Sequence, residues 1–444
     1  MSDTLLIRGG TVMTVDPHLG DIDTGDVLVE DGRISAVGKD LRADGARLID
    51  ASDMIVMPGL VDSHRHLWQS SLHQIAADWT LEQYAERMLG LIGPRFSAED
   101  VHIGNLLGAL EALGGGVTTV MDWSHIMNTP EHADAAVQAL TDAGIRAVFG
   151  YGSPSSPVNT WYEQDVERVA ATYFATPDRL LTLALASLGP EFSSLEQTAA
   201  DIALARRLGV RTSLHVGAGA LGAVRAVTRM DEAGLLGPDL IHVHCSTCTD
   251  DELRRIARSG GHVSVSPRVE MQMGHGYPAT GRLLAAGIGP SLSIDVVSAV
   301  GGSMFAEMRG TLEAERGLRN QRALDRGERI TELVPTTADV VRMATIEGAR
   351  TLGLEDRIGS LTPGKQADIV LLRVDLPNLG PVNNLPAAVT LAAGDNVDTV
   401  LVAGRVVKAE GRLLGQDTRA LHDRACSSRD RVLAGSPFAV VPAV

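Results

Sequence analysis

Residues 57–66 read Met-Pro-Gly-Leu-Val-Asp-Ser-His-Arg-His. An apolar run of strand length, 55–61, leads there into two histidines separated by one residue. Side chains two apart on a strand share a side, so His64 and His66 can grip one ion together. Outward from this stretch the same pattern recurs. Apolar runs at 117–122, 145–151, 180–187, 210–215, 239–244, 262–266 and 288–294 alternate with helical patterns. The helical stretches lie at 100–113, 131–143, 195–208, 220–234, 250–258 and 304–322. Eight strand-then-helix repeats predict an α/β fold, a (β/α)₈ TIM barrel.

The strand ends carry the chemistry. Run one leads into His64 and His66, run five ends in His215, run six in His244, and run eight leads to Asp295. A barrel gathers the C-terminal ends of its strands on one face, so these residues are predicted to surround one point. Imidazoles with a carboxylate suit one divalent ion, zinc first and iron or manganese by the same ligands, and leave a position for water. Each histidine alone reads more plainly as a packed strand residue. Four strand ends carrying the right types together outweigh that reading.

The two ends of the chain have another texture. Residues 4–14 and 26–37 alternate and turn at glycines, and the same pattern returns at 367–374 and 397–408. They predict a composite β-sandwich domain built from both termini. Its N-terminal part is 1–56, the barrel is 57–358, and 359–444 supplies its C-terminal part plus a C-terminal helix or tail.

Bulk properties fit a soluble enzyme. A chain of 444 residues accommodates a barrel of about 250 residues and a smaller domain. With 44% hydrophobic and 21% charged residues, disorder is excluded. A formal charge of −16 argues against nucleic acid and against an anionic membrane surface as partners. The N-terminus lacks the pattern of a signal peptide and no apolar run has the length of a membrane span, so a cytoplasmic location and a small-molecule substrate are expected. Three cysteines, Cys245, Cys248 and Cys426, cannot staple a protein this large. Cys245 and Cys248 form a lone C-x-x-C pair, a weak sign of zinc or redox chemistry.

The stretch 57–66 resembles the first-strand signature of the amidohydrolase superfamily, in the branch of cytosine deaminase, S-adenosylhomocysteine deaminase and the triazine hydrolases. Further matches are 114–120 (Gly-Gly-Gly-Val-Thr-Thr-Val), the stretch from His244 to Glu252, 305–309 (Phe-Ala-Glu-Met-Arg) and 359–368 (Gly-Ser-Leu-Thr-Pro-Gly-Lys-Gln-Ala-Asp). The resemblance implies metal ligands His64, His66, His215 and Asp295, with His244 beside the attacking water, where it polarises the substrate. A homodimer is the family's habit. Relatives with two metals bridge them with a lysine on strand four. Here Lys39, Lys365 and Lys408 are the only lysines and all lie in the terminal segments, so one ion is expected.

One position departs from the branch. Three residues after the strand-five histidine, where relatives carry a proton-shuttling glutamate, this chain has Ala218. Candidates for the missing transfer on the same face are His125, Glu191, His242 and Asp295. Trp68, Gln69, Trp79 and Tyr84 fall in the loop that covers substrate in relatives, so Trp68 and Gln69, with Glu191, are expected as substrate contacts; packing under a long loop is the plainer alternative. Arg65 is expected to point away from the ion, and His275, between Gly274 and Gly276, is read as a loop residue and not a ligand.

These features predict a metal-dependent amidohydrolase that attacks an sp² carbon bearing nitrogen, with deamination of a heterocycle first. Ala218 keeps open a cyclic-amide or carbamate-like hydrolase, and a metal-assisted lyase or cyclase. A non-catalytic scaffold would have no use for all four ligands and His244.

Overall fold

The computed structural model describes residues 4–152, 162–176 and 179–439; the expected sandwich and tail residues 1–3 and 440–444 lie outside them. Eight parallel strands follow one another in chain order. They are Leu60–Arg65, Val117–Ser124, Arg146–Gly152, Leu181–Ser187, Arg211–Val216, Leu240–His244, His262–Val265 and Ser291–Leu292. The ring closes through backbone at the future site. Asp295 N–H donates to His64 O (3.0 Å) and His66 N–H donates to Asp295 O (2.9 Å). The last strand is shorter than its apolar run, because pairing with the first passes to this bridge at Asp295.

The first apolar run divides. Met54–Pro58 belongs to the other sheet, and Leu60 opens the barrel. Gly59 sits at the joint because nothing larger fits: a Cβ there would lie 2.0 Å from Thr118 Oγ1. The strands of the expected sandwich hydrogen-bond as one nine-stranded mixed sheet. Met54–Pro58 runs antiparallel to Ile369–Arg373 and parallel to Leu5–Val12, so strands from both chain ends meet there. Leu5, Ile7, Val27 and Ile34 share a buried core with Ala367, Ile369, Leu371 and Leu401. Arg146, at the start of the third barrel strand, is buried and donates to both oxygens of Asp368 (2.8 and 2.9 Å), tying barrel to sheet. No helix among the described residues is long and apolar enough to cross a membrane.

Of the two buried acids on helix Met304–Asp325, Glu307 lies against Arg268, whose backbone N–H it accepts (3.1 Å). Burial pushes the Glu307 carboxyl up to about 8 from an ordinary 4.5. The folded chain therefore keeps a proton that the unfolded chain releases. The contribution of this group to stability is full below pH 4.5 and is lost as pH rises toward 8, by up to about 1.4 kcal/mol per pH unit. Glu307→Gln should flatten this slope. Denaturation midpoints of both proteins from pH 5 to 9 check it, and parallel curves would refute the assignment.

Candidate active site

A bulge shapes the first strand. Between Asp62 and Arg65 it uses three steps where its neighbour uses two, Val120 to Asp122. Such a bulge re-aims side chains. Arg65 turns to Glu111 on helix Ala98–Gly114, while His64 and His66 both face Asp295. The Nε2 atoms of His64 and His66 each lie 3.3 Å from Asp295 Oδ1, and His215 Nε2 lies 3.3 Å from His64 Nε2. These three spacings are close to the edge of a tetrahedron whose centre lies about 2.0 Å from each corner, the distance of imidazole and carboxylate from zinc. His64, His66 and Asp295 form one compact group, and His64 also joins His215 and His244 in another. The donor set fits a divalent ion.

The protonation states agree with that fit. Burial, then the neighbouring histidines, drives His215 well below its ordinary value, and burial first takes His64 down to about 4. Burial alone would raise Asp295, but hydrogen bonds to His64 and His66 outweigh it and hold the carboxylate ionised. Neutral imidazoles and an ionised carboxylate are what a cation requires. His66 donates Nδ1–H to Trp123 O (2.7 Å), which leaves its Nε2 for the ion.

His244 and Asp295 reach the site through left-handed backbone, φ 76° and 66°. Non-glycine residues pay for that conformation, and such strain gathers at functional sites. It also separates His244 from His242, two residues back. His242 donates Nδ1–H to His262 O (3.1 Å) and takes no part in the cluster. His244 Nδ1 meets Glu270 Oε1 at 3.2 Å, and its Nε2 lies 3.7 Å from Asp295 Oδ2. Glu270 is fully buried; burial works against the imidazolium, but Glu270 and Asp295 outweigh it and raise His244.

The cluster forms the floor of a cleft of about 600 Å³, its open mouth included. Leu81, Tyr84, Leu89, Leu188, Phe192, Met273 and Val296 make the walls, with Ala218, His125 and His275 among them. His125 packs its ring 4.2 Å from that of His66. Other expected contacts stand one layer back. Trp68 is fully buried against Phe96, and Gly104 is bare because a Cβ would strike the Trp68 carbonyl oxygen at 2.2 Å. Gln69 donates to Tyr84 Oη and accepts from Ser298 Oγ (2.7 Å), so it positions the wall without entering it. The Glu191 carboxylate accepts the backbone N–H groups of Gly217 (2.6 Å) and Ala218 (3.4 Å). Cys245 and Cys248 are buried free thiols. Lys365 and Lys408 donate to the carbonyls of Ile358 and Gly114.

Glu270 and His275 were absent from the expected set. Both follow the C-terminal end of the seventh strand, and that position is the signal that finds them. The C-terminal tail also braces the segment that follows the first barrel strand. Phe438 packs its ring 5.0 Å from that of Trp79, and Arg95 donates to Ala434 O (2.8 Å), beyond helix Thr418–Leu433.

The amidohydrolase family model matches residues 55–407. A 5-methylthioadenosine/S-adenosylhomocysteine deaminase of Symbiobacterium thermophilum is 32% identical over 440 residues, 91% of this chain and 93% of the relative. A 5'-deoxyadenosine deaminase of Methanothermobacter thermautotrophicus is 30% identical over 93% of this chain and 95% of its own. Among solved structures, an adenosine deaminase from Xanthomonas campestris with bound zinc superposes with a TM-score of 0.85 at 27% identity, covering 96% of this chain and 98% of the other.

Proposed function

The chain belongs to the amidohydrolase family and is a metal-dependent hydrolase of carbon–nitrogen bonds, and from that premise we propose that it deaminates a small heterocycle with one zinc ion. The observation that carries this reading is the convergence of His64, His66, His215 and Asp295 at the C-terminal ends of the barrel strands, with His64 3.3 Å from both His215 and Asp295 and His66 3.3 Å from Asp295. These four residues would hold the ion. Bound there, the ion supplies a Lewis acid and lowers the pKa of water toward 7. The remaining work falls to the chain. His244, backed by Glu270, points Nε2 toward the reacting centre and holds the ring nitrogen or the developing charge beside it. Leu81, Leu89, Phe192 and Met273 exclude bulk water and clamp a flat ring.

Relatives named for adenosine-type substrates support an amino-heterocycle. Ala218 on the cleft wall favours a second reading, the opening of a cyclic amide. The test is release of ammonia from a panel of aminopurines, aminopyrimidines, pterins, amino-s-triazines and cyclic amides by zinc-loaded protein. Ammonia from at least one amino-heterocycle is the expected result. Ring opening of a cyclic amide, with no ammonia from any amine, would replace the first reading by the second.

A further inference from the structure

The proposed chemistry leaves two histidines on the cleft wall unused, His125 and His275. His125 has the Trp123 carbonyl beside its Nδ1 at 3.4 Å, and His275 has no such partner. Its side chain is buried, and neither ring nitrogen has a hydrogen-bond partner. Two idle nitrogens in a protein interior are costly unless something arrives to use them. Its ring centroid lies 4.6 Å from that of His244, and one of its nitrogens lies within 4.8 Å of the ligand atoms of His244 and Asp295. The backbone shows where it stands. Gly219 N–H donates to His275 O at 2.7 Å, so His275 is pinned to the loop that begins with Ala218. Ala218 and His275 line the same wall.

We propose that His275 supplies the proton transfer for which the chain has no side chain at Ala218, an inference that rests on the deaminase reading above. A neutral imidazole offers one N–H and one lone pair, so it can take a proton on one side of a bond-breaking step and give it back on the other. As the water oxygen bonds to the ring carbon, one water proton passes to the free nitrogen of His275. As the carbon–nitrogen bond breaks, its electron pair stays on nitrogen and takes that proton. Ammonia leaves, the ring keeps the oxygen together with the second water proton, and His275 is neutral again.

The experiment compares leaving groups. The amino-heterocycle turned over fastest in the panel is paired with its chloro analogue, because chloride departs with the bonding pair and needs no proton. His275→Ala and His275→Gln should each keep the full metal content of the wild type. On the amine, kcat should fall about 10²–10⁴-fold in both variants, with KM nearly held in His275→Gln. On the chloro ring, which needs only the first of the two transfers, the loss should be at least about tenfold smaller than on the amine. Equal losses on the two rings, loss of metal, or unchanged turnover of the amine would overturn the assignment. Wild-type protein that releases no amine from any ring would instead fell the deaminase reading, and this inference with it.

Discussion

His64→Ala is expected to leave the protein almost free of metal and without measurable activity. The Nε2 atom of His64 is the hub of the cluster, 3.3 Å from both His215 Nε2 and Asp295 Oδ1. Outer partners of a metal site typically cost 10–100-fold when removed, and a direct ligand costs more than about 100-fold. His242→Ala is the matched control, since that imidazole is also buried and strand-borne yet turns to the His262 carbonyl. Metal per folded chain, measured after dialysis, should be near one in the wild type and the control, and near zero in His64→Ala. Two tightly held ions in the wild type, or a full equivalent in His64→Ala, would contradict the single-ion site.

His244→Asn should retain the ion and lose about 10²–10⁴ in kcat, the usual share of a group that moves or holds a proton in the transition state. Asparagine is the apt replacement because it tolerates left-handed backbone, which His244 adopts at φ 76°. The loss then reports the imidazole and not a collapsed strand end. Glu270→Gln keeps the shape beneath His244 and removes the charge, and should cost about 10–100-fold. An undiminished kcat in both variants would mean that His244 merely packs beside the cluster.

The strand ends were legible because periodicity locates barrel strands and closure brings their ends together. That reasoning placed His64, His66, His215, His244 and Asp295 on one face. It could not separate His242 from His244, because equal parity implies one side and only the left-handed turn at His244 breaks it. Loop side chains were read less well. Trp68 and Gln69 looked like contacts from their nearness to the His-x-His pair, yet sequence carries no depth, and Tyr84 and Leu81 stand in front of them. His275 looked idle between two glycines, although those glycines let the loop bend back onto Gly219. The first apolar run hid a change of sheet at Gly59, since both of its halves are equally apolar.

The sheet shared by the two ends of the chain sets a timetable for synthesis. Pro58 pairs with Ile369, 311 positions further along the chain. At about 5–20 residues per second a ribosome takes roughly 15–60 s to cover that interval. During that time Met54–Pro58 has emerged while the strand that covers one of its edges has not been made. An uncovered strand edge invites pairing with other chains. The intervening barrel is the part of the nascent protein able to form first, and its completion carries residues 369–373 back to the waiting edge. The N-terminal strands are thus a clasp that shuts last, so a chain that stops before Ile369 leaves the edge of Met54–Pro58 open and adhesive.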